Sequence, residues 1–187
     1  MTENEYFDAL RDVLHPPLRD GQKLVGGHFV IEEAGQTSFV LNVSGLATHE
    51  AIKLEAIKTD WPCFRGKHKF AHRRCDRIVV TWNPTKAIPQ FLMVELKSGN
   101  SGGAHQQLGA SLAFCHFLHH MICVGQAAPP TPAFVAITVK TMPFAQKLSS
   151  TPTLPPWTTK GIHPACRHMH FDRSRGSLPM AAVFAAA

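Results

Sequence analysis

An aspartate, a glutamate and a lysine near the middle of the chain, Asp76, Glu95 and Lys97, have the types and spacing of a divalent-metal site. Asp76 heads one apolar run, Arg77 to Trp82 (RIVVTW), and Glu95-Leu96-Lys97 closes the next, Phe91 to Leu96 (FLMVEL). Side chains alternate faces along a strand, so Glu95 and Lys97 point one way and Leu96 points into the core. Asn83-Pro84-Thr85-Lys86 between the runs reads as a turn, which predicts adjacent antiparallel strands with Asp76 and Glu95 at the same end. Two carboxylates brought together repel, and burying them without a positive partner is costly. Mg2+ or Mn2+ meets that need, with the Leu96 backbone carbonyl as a further ligand, and a water kept by such an ion can become a nucleophile against phosphate. Lys97 is then expected to orient the water or to offset developing charge. Taken alone, an E-x-K is an exposed strand-end pair and an aspartate before a strand is a cap. The surrounding elements supply the specificity.

Those elements read as follows. Tyr6, Phe7, Leu10, Val13 and Leu14 predict a helix over Glu3 to Leu14, stopped by His15-Pro16-Pro17. His28 to Glu32 and Ser38 to Val43 are β-rich runs around a glycine-containing loop, a hairpin pattern. Thr48 is a candidate N-cap for a helix carrying Ala51, Ile52, Leu54, Glu55 and Ile57 and ending near Trp61-Pro62. After the strand pair, Ser98 to Gly103 reads as a flexible loop, and Ala104 to Met121 carries a broad apolar face. Ala133 to Val139 (AFVAITV) reads as a third strand returning to the same sheet. From Thr141 onward the pattern weakens, predicting an irregular C-terminal extension over 141–187 behind a core at about 46–140. The fold class is therefore α/β, with a central mixed sheet flanked by helices, in a single domain spanning 1–187.

From Cys75 to Leu118, the text CDRIVV, then VELKSG, then AHQQLGAS resembles the PD-(D/E)XK nuclease superfamily. The resemblance covers about a quarter of the chain and identifies a superfamily through short, degenerate motifs. It implies a restriction-endonuclease-like αβββαβ core and Mg2+-dependent endonuclease activity. Asp76 and Glu95 would be metal ligands, Lys97 the catalytic lysine and Gln107 the helix glutamine, ahead of Gln106 because Gln107-Leu108 fits the usual Gln-Leu pairing. Glu50 or Glu55 would supply the acid that many members place before the core sheet. Cys75 stands where the motif's proline is expected, a departure many members share. The resemblance implies DNA more than RNA as substrate and, by analogy, a bacterial defence setting, with a homodimer or a partner protein as an open option. A catalytically silent nucleic-acid-binding or assembly module is the rival reading.

Charge supports a polyanionic partner. The formal net charge is +6 with a pI near 9.3, and Arg65, Lys67, Lys69, Arg73, Arg74 and Arg77 face a single acid, Asp76, within one short stretch. That stretch reads either as a solvated basic loop or as a grip on the phosphate backbone. Trp61, Phe64 and Phe70 within or beside it suit base stacking or core packing equally. Five cysteines without regular spacing argue against a disulfide framework. Cys166, His168 and His170, with His163, Cys63 and Cys75, form a possible structural Zn2+ set and the basis of a zinc-dependent interaction reading. Their spacing matches no standard knuckle, so packed thiols and surface histidines are the favoured alternative. His116, His119 and His120 read as helix-surface residues or phosphate contacts. The acidic, amphipathic N-terminus lacks the pattern of a secretory signal and no run has the length of a membrane span, which predicts a cytoplasmic protein without membrane partners.

Overall fold

The computed structural model describes residues 1–19, 28–31, 39–42, 48–54, 73–97, 103–140, 158–163, 166–172, 178–179 and 183–184. Helix α1 (Glu3–Val13) begins at a capping box in which Thr2 and Glu5 satisfy each other's backbone amides, and it buries Tyr6, Phe7 and Leu10. A 3₁₀ turn, Pro16–Leu18, replaces it where proline withdraws the amide donor. Strands β1 (His28–Ile31) and β2 (Phe39–Asn42) pair antiparallel as the hairpin pattern predicts.

The six-stranded sheet carries the chemistry. Strand β4 (Arg77–Asn83) pairs antiparallel with β5 (Ile88–Lys97) in a register that sets Arg77 opposite Val94 and Asn83 opposite Ile88. Asn83 shapes the connection, its Oδ1 accepting the amides of Thr85 and Lys86 at 3.0 and 2.9 Å, and Ala87 completes the turn at φ 51°. Helix α2 (Ala104–Ile122) then crosses over so that β6 (Ala133–Lys140) lies parallel to β5. Two apolar clusters sandwich the sheet. On one face α1 and α2 pack on Ile78, Val80, Phe91, Met93 and Phe134; on the other, Val79, Leu92, Val94, Leu96, Val135 and Val139 meet Val183 and Phe184. Both described helices thus cover the same face.

Two sequence expectations fail here. The segment expected to start a helix at Thr48 is strand β3 (His49–Ile52), antiparallel to β4; the rest of that expected helix, 55–62, lies outside the described residues. Pairing decides the outcome: β3 satisfies the outer edge of β4, and buried Ala51 and Ile52 join opposite clusters, as alternating strand residues do. Nor is 141–187 wholly irregular. Strand β8 (Cys166–Asp172) inserts parallel to β6, β7 (Thr158–His163) closes that edge antiparallel to β8, and β9 (Leu178–Pro179) pairs parallel with β2. The sheet order is β3-β4-β5-β6-β8-β7, so its core extends beyond residue 140.

Candidate active site

Asp76 sits at the bend that delivers the chain into β4, one residue before the Arg77–Val94 pair, and so lies at the end of the hairpin where β5 finishes. Its carboxylate is fixed there: the Leu96 amide donates to Asp76 Oδ2 at 2.6 Å. A carboxylate receiving a backbone amide is a strong, geometrically defined contact. Glu95 is 1% exposed and belongs to the helix-covered face, opposite Thr138 of β6. Lys97, two residues on and therefore on the same face, places Nζ 2.5 Å from Glu95 Oε1. The same ammonium donates to Gln107 Oε1 at 2.7 Å, and Gln107 Nε2 donates to the Arg74 carbonyl at 3.1 Å.

The chain entering β4 is tied to α2 at a second point. Ser111 Oγ accepts the Cys75 amide at 2.8 Å. Gln107 and Ser111, one turn apart on α2, therefore hold the two residues that precede Asp76. Ser111 was not legible as a site residue; its i+4 spacing from Gln107 was the available signal. Leu96 buries its side chain in the opposite cluster while its amide serves Asp76. The described structure thus places Asp76, Glu95, Lys97 and Gln107, the residues singled out from the sequence, at one end of the β4–β5 pair, beside the first turns of α2.

The donor set suits a hard divalent cation. Mg2+ takes oxygen ligands, often only one or two carboxylates beside its waters. Asp76 and Glu95 provide two carboxylates, and no thiolate competes: burial pushes the Cys75 thiol up to about 12, so it stays protonated. Among the described residues, no group of three His, Cys, Asp or Glu side chains is arranged to hold a metal ion. This applies equally to Cys166, His168 and His170 as a zinc set. Cys166 lies in the apolar core with its thiol raised by burial to about 12. His168 instead bonds Thr138, Oγ1 to Nε2 at 3.0 Å, and packs against His105 and His170. Cys63 is outside the described residues.

The basic residues divide. Arg65, Lys67 and Lys69 lie outside the described residues, as do Trp61, Phe64 and Phe70. Gly103 has φ 89°, which favours glycine there, and the tip of the flexible Arg73 guanidinium, Nη1, lies 2.6 Å from where a Cβ on Gly103 would sit. Arg74 is half-buried and donates to the Leu54 carbonyl at 3.4 Å. Arg77 is 1% exposed and donates to the Asp76 carbonyl at 2.7 Å, so it braces the aspartate from within the core where a surface contact to phosphate was expected. Glu50 also departs from expectation. It stands on β3, not on a helix, and receives Arg11 Nε at 3.4 Å and Arg19 Nε at 3.1 Å. The Arg11 pair joins α1 to the sheet edge and the Arg19 pair ties down the end of the 3₁₀ turn; Glu55 is outside the described residues. His119, expected on the helix surface, is half-buried with Nδ1 3.0 Å from the Tyr6 hydroxyl, which makes it part of the α1–α2 contact.

No described helix is long and apolar enough to cross a membrane. Comparison with family models, curated proteins and solved structures found no match to this chain.

Proposed function

We propose that this chain is a metal-dependent nuclease of the PD-(D/E)XK type that hydrolyses phosphodiester bonds, acting on DNA rather than RNA. The observation that carries the reading is the convergence of Asp76, Glu95, Lys97 and Gln107 at one end of the β4–β5 pair, with Lys97 bonded to both Glu95 and Gln107. Asp76, Glu95 and the Leu96 carbonyl would hold Mg2+ or Mn2+, which supplies Lewis-acid polarisation of a phosphoryl oxygen when bound. Each side chain then has a role. Gln107 fixes the Lys97 ammonium in direction, and Lys97 presents a positive charge and proton donors to the phosphate as negative charge accumulates. Asp76, clamped by the Leu96 amide, and Glu95, sequestered from water, are preorganised and need little rearrangement on substrate arrival. Arg73, beside the first turn of α2, and the basic residues upstream would track the phosphate backbone.

A silent binding module is favoured by one observation: the Lys97 ammonium itself neutralises Glu95. Incubating the protein and its Lys97→Ala variant with linear, circular and single-stranded DNA and with RNA, in Mg2+ or EDTA, separates the two. Cleavage by the native chain only in Mg2+, reduced roughly 10²–10³-fold in Lys97→Ala, is the expected result. Equal cleavage by both proteins sinks the nuclease reading, and retained binding with no cleavage in any condition selects the silent module.

A further inference from the structure

Beside the Glu95–Lys97 centre lies a cluster of three imidazoles that the nuclease chemistry leaves unused. Their ring centroids are separated by 4.6 Å (His168–His170), 5.1 Å (His105–His168) and 6.2 Å (His105–His170), every pair edge-to-face. The cluster shares the helix-covered face of the sheet with Glu95: the register runs Glu95, Thr138, His170 across β5, β6 and β8. Two strand spacings, about 10 Å, separate Glu95 from His170 at the backbone. His105, exposed in the first turn of α2, closes the cluster from above, two residues from Gln107.

We propose that His105, His168 and His170 form a second phosphate-binding subsite, taking a non-scissile phosphate of the same nucleic acid; the inference rests on the nuclease reading for its substrate. The first support is an unmatched atom. His168 is fully buried, its Nε2 is bonded to Thr138 Oγ1, and its Nδ1 has no hydrogen-bond partner. Whichever tautomer it adopts, one buried ring nitrogen is left without a protein partner, an unfavourable arrangement that a ligand or its water would relieve. Charge supplies the second support. Burial, and then repulsion by His170 and His105, holds the His168 imidazole down at about 4. An anion beside the rings would favour their protonated forms, which burial and mutual repulsion disfavour. The third support is the setting. Among the described residues no side chain caps the start of α2, its first turn holds no acid, and the Arg73 guanidinium lies against Gly103, so the positive end of a 19-residue helix that carries His105 adjoins an arginine.

The test uses inorganic phosphate as probe, followed through the imidazole NMR signals of the intact chain in EDTA, with His105→Ala as the informative variant because that side chain is exposed. Saturable shifts of His105, His168 and His170, weakened about tenfold in His105→Ala, support the subsite. An absence of shifts, shifts unaffected by His105→Ala, or a response to Zn2+ and none to phosphate each overturns it. A second measurement links the subsite to cleavage: His105→Ala is expected to raise KM for an oligonucleotide about tenfold with kcat unchanged, and to have no effect when the neighbouring phosphate is replaced by a neutral methylphosphonate. Should no nucleic acid be cleaved, the phosphate titration still decides the subsite, so the two readings fail separately.

Discussion

Two adjacent rows across the same three strands differ in character. Glu95, Thr138 and His170 form one; Leu96, Val139 and Phe171, one residue further along, form the other on the opposite face. The second row is apolar and closed by Val183 and Phe184, and each side chain it buries contributes about 1.5–3 kcal/mol. The first row places an acid, a hydroxyl and an imidazole where apolar groups would be more favourable. One row stabilises the sheet, and the other holds reactive groups still at some cost to it.

Removing the chemistry from the polar row gives the largest expected change. Replacing Glu95 and Lys97 together by leucine is expected to abolish cleavage, by at least about 10²–10³-fold, while raising folding stability by about 1–4 kcal/mol, because apolar packing often outperforms a desolvated ion pair. Nuclease assays and denaturant unfolding of the same sample check both halves. A stability loss in the double variant would show that the pair holds the sheet together rather than serving it. Phe171→Ala in the apolar row is expected to behave in the opposite sense: about 3–5 kcal/mol less stable by urea denaturation, with turnover retained at temperatures where the variant stays folded.

Acid should weaken the polar row selectively. His168 is held at about 4, below the ordinary 6.5, so between those values the unfolded chain binds the extra proton. Its contribution is complete above pH 6.5 and is lost as pH falls toward 4, up to about 3 kcal/mol. Comparing unfolding curves of the native chain and His168→Leu at pH 7 and pH 4.5 isolates this term; parallel losses in the two proteins would refute it. Smallest is Gln107→Ala, expected to lower kcat about tenfold and stability by about 1 kcal/mol, through loss of the bonds to Lys97 and the Arg74 carbonyl.

The apolar row and its hairpin were readable in advance because FLMVEL and AFVAITV leave little choice except buried strands. So was the placement of Asp76 and Glu95 at the same end of the hairpin, once the turn after Trp82 fixed which residues pair. Strand β3 was not. Ala51, Ile52 and Leu54 are spaced ambiguously, and only the free edge of β4 decides between helix and strand. Strand β8 was hidden for another reason: Cys166, His168 and His170 alternate with Arg167, Met169 and Phe171, a strand period whose residue types suggested metal ligation instead. His105 escaped notice because its partners come from a strand that sequence patterning did not reveal, and Ser111 because a helical serine advertises nothing until its partner amide is known.

The late position of β8 bears on how the molecule is made. A chain growing from its N-terminus has Asp76, Glu95 and Lys97 in place before β8 is synthesised, and parallel pairings of this kind are slow to form. Until β8 docks, the outer edge of β6 is bare and His105 faces no imidazole partners. The order of synthesis therefore separates the appearance of the acidic residues from the completion of the wall beside them, and during that interval an uncovered parallel edge is where a nascent chain is most open to mispairing.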